Sequence, residues 1–156
     1  LMQYHTLKKQ KQQIEKKIKR SVNKINPESL SIPGVGEITC SIILGSLGNV
    51  KRFRDGKAIT GYAGLDPIVT QSGKSVNRTG HISKRGNKYL RTALINAALV
   101  GIRSNPVLRD RYHHLRDKGK SHLVALVACA RKLLLIIYSV EKNGKRFYVP
   151  SYIQDQ

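Results

Sequence analysis

Between Asp66 and Gly86 the chain reads DPIVTQSGKSVNRTGHISKRG, where hydroxyls at Thr70, Ser72, Ser75, Thr79 and Ser83 are interspersed with Lys74, Arg78, Lys84 and Arg85. A hydroxyl set among cations is what phosphoryl transfer through a nucleophilic serine requires. Guanidinium groups neutralise the non-bridging oxygens, and their forked donors hold the phosphate for in-line attack. A loop that only grips phosphates needs the same residue types, and by spacing alone it is the commoner of the two. His81 could act as a base there, but a surface histidine without a catalytic role is the simpler reading.

The surrounding charge points the same way. From Lys51 to Arg91 there are ten basic residues against two acids, Asp55 and Asp66. Over all 156 residues, 29 Lys and Arg stand against 9 Asp and Glu, a net charge of +20. Such an excess calls for a polyanionic partner, nucleic acid or an anionic membrane. The only long apolar run, Leu123 to Val140, carries Arg131 and Lys132 in its middle. A charge there costs about 2.5–3.5 kcal/mol on insertion, so the run is expected to be a core helix and no membrane partner is expected. A Lys/Gln-rich start without an apolar segment predicts no secretory signal.

A second glycine-rich turn, Ile32-Pro33-Gly34-Val35-Gly36, precedes an apolar helix predicted over Glu37 to Leu47. Pro33 sets the entry, Gly34 and Gly36 permit positive φ or close backbone approach, and the helix start leaves N–H groups free for an anion. The pattern looks like a helix-hairpin-helix element; a turn that merely joins two helices reads the same.

The elements that must position these residues are helical. Residues 3–26 lack Gly and Pro and place Leu7, Ile14, Ile18, Val22 and Ile25 at helical spacing, a long basic coiled-coil-like helix with a narrow apolar stripe. Its stripe would suit a homo-oligomer or a missing N-terminal part. A short helix is expected after Phe53-Arg54-Asp55, capped by Asp55 and stopped at Gly64. Then come the basic loop or irregular β-hairpin and three helices: Asn87 to Arg103, Val107 to Lys118 behind Asn105-Pro106, and a helix capped by Ser121 that ends before Gly144. Leu90, Leu94, Ala97, Ala98 and Gly101 are expected to face inward. The fold class is mainly α, divided into residues 1–28, a helical domain at 29–144 and a tail at 145–156 expected to lie extended on the surface. Cys40 and Cys129 are expected to be buried free thiols, and neither they nor His5, His113, His114 and His122 form a metal-ligand grouping.

Taken together, Ile32 to Gly36, Phe53, Tyr62-Ala63-Gly64-Leu65-Asp66-Pro67, Gln71-Ser72-Gly73-Lys74, Ile82 to Asn87, Leu90-Arg91 and Ala128 to Leu134 form an ordered series. The series resembles the insertion-sequence one-ten transposases over about two-thirds of the chain. The chain departs from the family pattern at Asp66, commonly Ala, and at Val69, commonly basic. What the resemblance implies is a DNA-binding and strand-exchange domain in which Ser72 is the nucleophile on a DNA phosphodiester. Gly34, Gly36, Lys74, Arg78, Lys84, Arg85 and Arg91 are then expected to bind DNA or phosphate. It further implies a missing N-terminal RuvC-like domain that holds magnesium, a guide (bridge) RNA, and a cytoplasmic, nucleoid-associated setting in a prokaryote. No cofactor is expected in this part, which reads as an excised piece of something longer, inactive alone. The alternative is a non-catalytic helix-hairpin-helix module that binds DNA or RNA.

Overall fold

The computed structural model describes residues 2–70 and 78–149, with residues 2, 68–70 and 78–81 described by their backbone. Among the described residues there are six α-helices: α1 (Met2–Ile25), α2 (Glu37–Leu47), α3 (Gly56–Ala63), α4 (Lys88–Ser104), α5 (Pro106–Asp117) and α6 (His122–Asn143). Strands β1 (Pro67–Thr70) and β2 (Arg78–Ile82) form one antiparallel pair between α3 and α4. The protein is mainly helical, as expected.

Local chemistry sets most boundaries. The Asp55 carboxylate accepts from the Ala58 N–H at 2.8 Å, the Asn105 side chain accepts from Val107 at 3.0 Å ahead of Pro106, and the Ser121 hydroxyl accepts from Val124 at 3.4 Å. Each satisfies an N–H that the helix itself leaves open. Gly64 and Gly144 close α3 and α6 in the left-handed conformation that a side chain disfavours. The Ala58 N–H, and then the neighbouring Arg54, hold the Asp55 carboxyl below its usual range.

The core is organised around α4 and α6. Leu90, Leu94, Ala97, Ala98 and Gly101 are buried on α4, as expected, and α6 buries Ala125, Cys129, Ala130, Leu133, Leu134 and Ile137 against it. The small residues let helix backbones approach, while each fully buried Leu or Ile stabilises by about 1.5–3 kcal/mol. Both cysteines are buried and free. Of the described helices, α6 alone is long and apolar enough to cross a bilayer, and half of that stretch is buried inside the protein.

The ends of the chain behave differently. Among the described side chains of α1 only Val22 is buried, against α2, while Leu7, Ile14 and Ile25 stand in solvent. Residues 145–149 carry no regular secondary structure: the Phe147 N–H donates to the Ser31 hydroxyl at 2.8 Å, and Arg146 reaches both Asn26 and Glu28, while the rest of the tail expected to lie extended is outside the described residues. Two single 3-10 turns, Glu28–Ser31 and Val50–Arg52, lie where no helix was expected. The first is pinned by Glu141 of α6, which accepts from the Ser29 N–H at 2.7 Å and its hydroxyl at 2.5 Å. No sequence period marks so short and distant a contact.

Candidate nucleic-acid interface

The β1–β2 hairpin leaves the core on a defined foot. Pro67 pairs with Ile82, Val69 with Thr79 and Thr70 with Arg78, with an irregularity between Pro67 and Val69. Below the pairs, the Ser83 N–H donates to the Asp66 carbonyl at 3.0 Å and its hydroxyl to the Asp66 carboxylate at 2.5 Å. The Lys84 N–H then reaches the Gly64 carbonyl at 3.2 Å, and the Asn87 N–H the Tyr62 carbonyl at 3.0 Å. Asp66, the departure from the family pattern, therefore ties the two arms together. Ser72 and Lys74 lie in the connection between the strands, outside the described residues, as do the side chains of Arg78 and His81.

Gly86 locks this foot onto α3. A Cβ there would stand 2.1 Å from the Tyr62 carbonyl oxygen and 2.4 Å from the Gly64 nitrogen, both backbone atoms that cannot move aside. The tight fit is followed at once by the Asn87 cap of α4, whose side chain accepts from Tyr89 and Leu90 at 3.0 and 3.1 Å. Arg91, one turn in, donates to the Ala63 carbonyl at 3.2 Å, which fixes its guanidinium beside the hairpin.

The foot opens into a pocket of about 490 Å³. Of the expected phosphate ligands it gathers Lys84 and Arg91; Arg85 is exposed and does not line it. It adds Arg111 of α5 and Arg131 of α6, which the sequence reading did not assign to a site. The pocket has no carboxylate in its lining, and among the described residues none of these four cations forms an ion pair. The Arg131 Nε is buried and has no acceptor among the described residues. Its floor is apolar, including Leu65, Ile82, Ile95 and Val127. In the sequence Arg131 stands out as a charge interrupting an apolar run, and it falls in the Ala128 to Leu134 segment of the ordered series; neither signal places it beside Lys84 and Arg91.

The two glycines of the Pro33–Gly36 turn separate in role. Gly34 has φ +96°, and a Cβ on it would meet the Gly101 Cα at 2.7 Å, so its lack of a side chain serves the packing of this turn on α4. Gly36 caps α2 with open space around it, and Glu37 places a carboxylate in the first turn of that helix. The turn is flanked by a 3-10 turn on one side and by α2 on the other.

No group of three His, Cys, Asp or Glu that could hold a metal ion occurs among the described residues. Burial pushes the Cys40 thiol up to about 12, with Glu141 adding to it. Burial likewise raises Cys129 to about 11, against a smaller opposing effect of Arg111. Neither thiol is a nucleophile at neutral pH.

Fold and site together define a helical, strongly cationic domain that presents a β-hairpin above an acid-free pocket. The family model for the IS116/IS110/IS902 transposases matches residues 29–113, and the chain belongs to that family. It is 30% identical over 120 residues to the insertion element IS110 uncharacterized 43.6 kDa protein of Streptomyces coelicolor, covering 77% of this chain and 29% of that protein. It is 34% identical over 118 residues to the pilin gene-inverting protein of Moraxella bovis, covering 75% of this chain and 37% of the relative. With the transposase for insertion sequence element IS1111A of Coxiella burnetii, identity is 40% over 73 residues, covering 47% of this chain and 20% of the relative. The aligned part of the chain thus spans well under half the length of these relatives.

Proposed function

We propose that this chain is the DNA-binding and strand-exchange part of a transposase or recombinase, with Ser72 as its nucleophile. One observation carries the reading: the hairpin whose connection holds Ser72 rises from a foot where Lys84, Arg91, Arg111 and Arg131 converge without a facing carboxylate. Unpaired cations around a water-accessible hollow are a standing attraction for a phosphodiester. Family membership and a relative named for inverting a gene support the choice of DNA.

In this mechanism the Ser72 hydroxyl oxygen attacks the phosphorus and loses its proton. The bond from phosphorus to one deoxyribose oxygen breaks, and that oxygen leaves with a proton as a free hydroxyl. A phosphoserine ester then joins the protein to the other strand end. Attack by a hydroxyl of a second strand reverses the step, restores Ser72 and rejoins DNA, so no net bond energy is needed. Lys74, Arg78, Lys84, Arg85 and Arg91 bind and orient the phosphates, and Gly36 is the part of its turn left open to meet one. The described residues do not fit a magnesium site, and no step here runs through a metal. A RuvC-like domain ahead of this chain would supply the metal's ligands, and a guide RNA would select the target.

The test is a denaturing gel for covalent protein–DNA adducts, made with the full-length transposase, its element DNA and guide RNA, with and without Ser72→Ala. Loss of the adduct with DNA binding preserved supports the assignment. An adduct that survives moves the chemistry to another residue. Recombination without any adduct makes this loop a phosphate-binding element only.

A further inference from the structure

We infer that the pocket at the foot of the hairpin receives a single nucleotide extruded from its stack, with the base on the apolar floor and the phosphate among the cations. The inference deepens the DNA-binding reading above and rests on it. The cavity of about 490 Å³ lies within the roughly 300–1,000 Å³ range of small-ligand sites, large enough for a base with its sugar phosphate.

Its two halves ask for two kinds of chemistry. Leu65 is fully buried beneath it, and Leu123 and Val124 stand 64% and 46% exposed at its edge, an apolar surface that water covers unless a ligand does. Lys84, Arg91, Arg111 and Arg131 ring that surface from four separate segments. The Arg131 Nε is already out of water and lacks an acceptor among the described residues. A bare phosphate would answer the cations and leave the apolar floor wet. An apolar side chain would do the reverse. A nucleotide answers both, and a base still stacked in a duplex has its faces covered by its neighbours and cannot lie on a concave apolar floor set between helices, so extrusion is required. Among the described residues no aromatic ring lines the pocket, so the base is held by aliphatic contact and by guanidinium donors to its edge, which favour a base that presents acceptors there. An acidic, leucine-bearing protein segment is the rival occupant. The chain's charge of +20, and the further cations Arg85 and Lys88 beside the foot, favour a partner with a continuing phosphate backbone.

The experiment measures binding of a short single-stranded oligodeoxynucleotide carrying one fluorescent adenine analogue to this chain at low salt. Val124→Glu puts a like-sized charge on an exposed apolar position at the pocket's edge without touching the core, Arg131→Gln removes a pocket charge, and Lys16→Gln on remote α1 is the control for net charge. We expect Val124→Glu and Arg131→Gln each to weaken binding about tenfold and Lys16→Gln less than about threefold, and an abasic site at the probe position to cost as much as Val124→Glu. Leu123→Glu gives a second variant of the apolar edge should Arg131→Gln lower the thermal midpoint. Pocket variants no weaker than Lys16→Gln, with wild-type binding intact, overturn the pocket and leave the DNA-binding reading standing. Abasic and intact oligonucleotides of equal affinity reduce the site to a phosphate contact and overturn the nucleotide. An acidic leucine-bearing peptide that binds more tightly, with the same sensitivity to the variants, assigns the pocket to a protein segment. Absence of any oligonucleotide binding by the wild type overturns both readings.

Discussion

Near the C-terminal end of α4, the backbone of the Pro33–Gly36 turn comes so close that a methyl group on Gly34 would meet the Gly101 Cα at 2.7 Å. Near the start of the same helix, Arg91 looks into a hollow of about 490 Å³ ringed by cations that have no counter-ions among the described residues. One end of α4 is specified by excluded volume and the other by unmet charge. Close packing makes the first region intolerant of a single added carbon, whereas the second should accept substitutions structurally and answer them in binding. Gly86 joins the two regimes, because it packs like the interior and yet sets the direction of the cationic foot.

The comparison breaks most easily at the glycines. Gly34→Ala is expected to cost about 4 kcal/mol, from a positive φ and a backbone collision together, and to lower the thermal midpoint by roughly 8 °C or more. A normal midpoint by calorimetry would show that the turn can lift off α4. Leu108→Ala, fully buried beside Gly101, should cost about 3 kcal/mol by leaving a cavity, readable as a lower denaturant midpoint at unchanged slope. Ser29→Ala removes the buried hydroxyl that donates to Glu141 and should cost about 1 kcal/mol in the same assay.

On the other side of the comparison, Lys84→Gln and Arg111→Gln should each change stability by less than about 0.5 kcal/mol. Each should also reduce by about one the slope of log affinity for DNA against log salt. A loss of fold on either substitution would mean that the pocket cations are structural.

The thiols sharpen the same contrast through pH. Burial raises Cys40 to about 12 and Cys129 to about 11, above the ordinary value of 9.0. Because the folded protein holds them as neutral thiols, their contribution is fully present below pH 9.0 and is lost as pH rises through about 11 and 12. Both should resist thiol reagents at neutral pH and react on unfolding; rapid reaction of the folded protein would show that the α6 core opens.

Much of the helical frame could be read from the chain because its signals are local. Asp55, Asn105 and Ser121 cap the helices they precede, Gly64 and Gly144 end theirs, and the inward face of α4 follows from the spacing of Leu90, Leu94, Ala97 and Gly101. The candidate site was legible by half. Lys84 and Arg91 stand in the basic stretch that composition highlights, but Arg111 and Arg131 reach the same hollow from other helices. In the sequence, Arg131 is a charge that spoils a membrane span and a member of the Ala128 to Leu134 segment, and neither tells which hollow it reaches.

By itself, then, the sequence determined where the α-helices begin and end, which faces are apolar, and how large the charge excess is from which a polyanionic partner is expected, since caps, periodicity and net charge are properties of neighbours along the chain. Tertiary structure alone decided that Gly34 meets Gly101, that Ser29 meets Glu141, and that Lys84, Arg91, Arg111 and Arg131 surround one pocket. Those outcomes depend on how α4, α5 and α6 cross, and crossing geometry is set by the summed packing of many side chains, which no short window of residues contains.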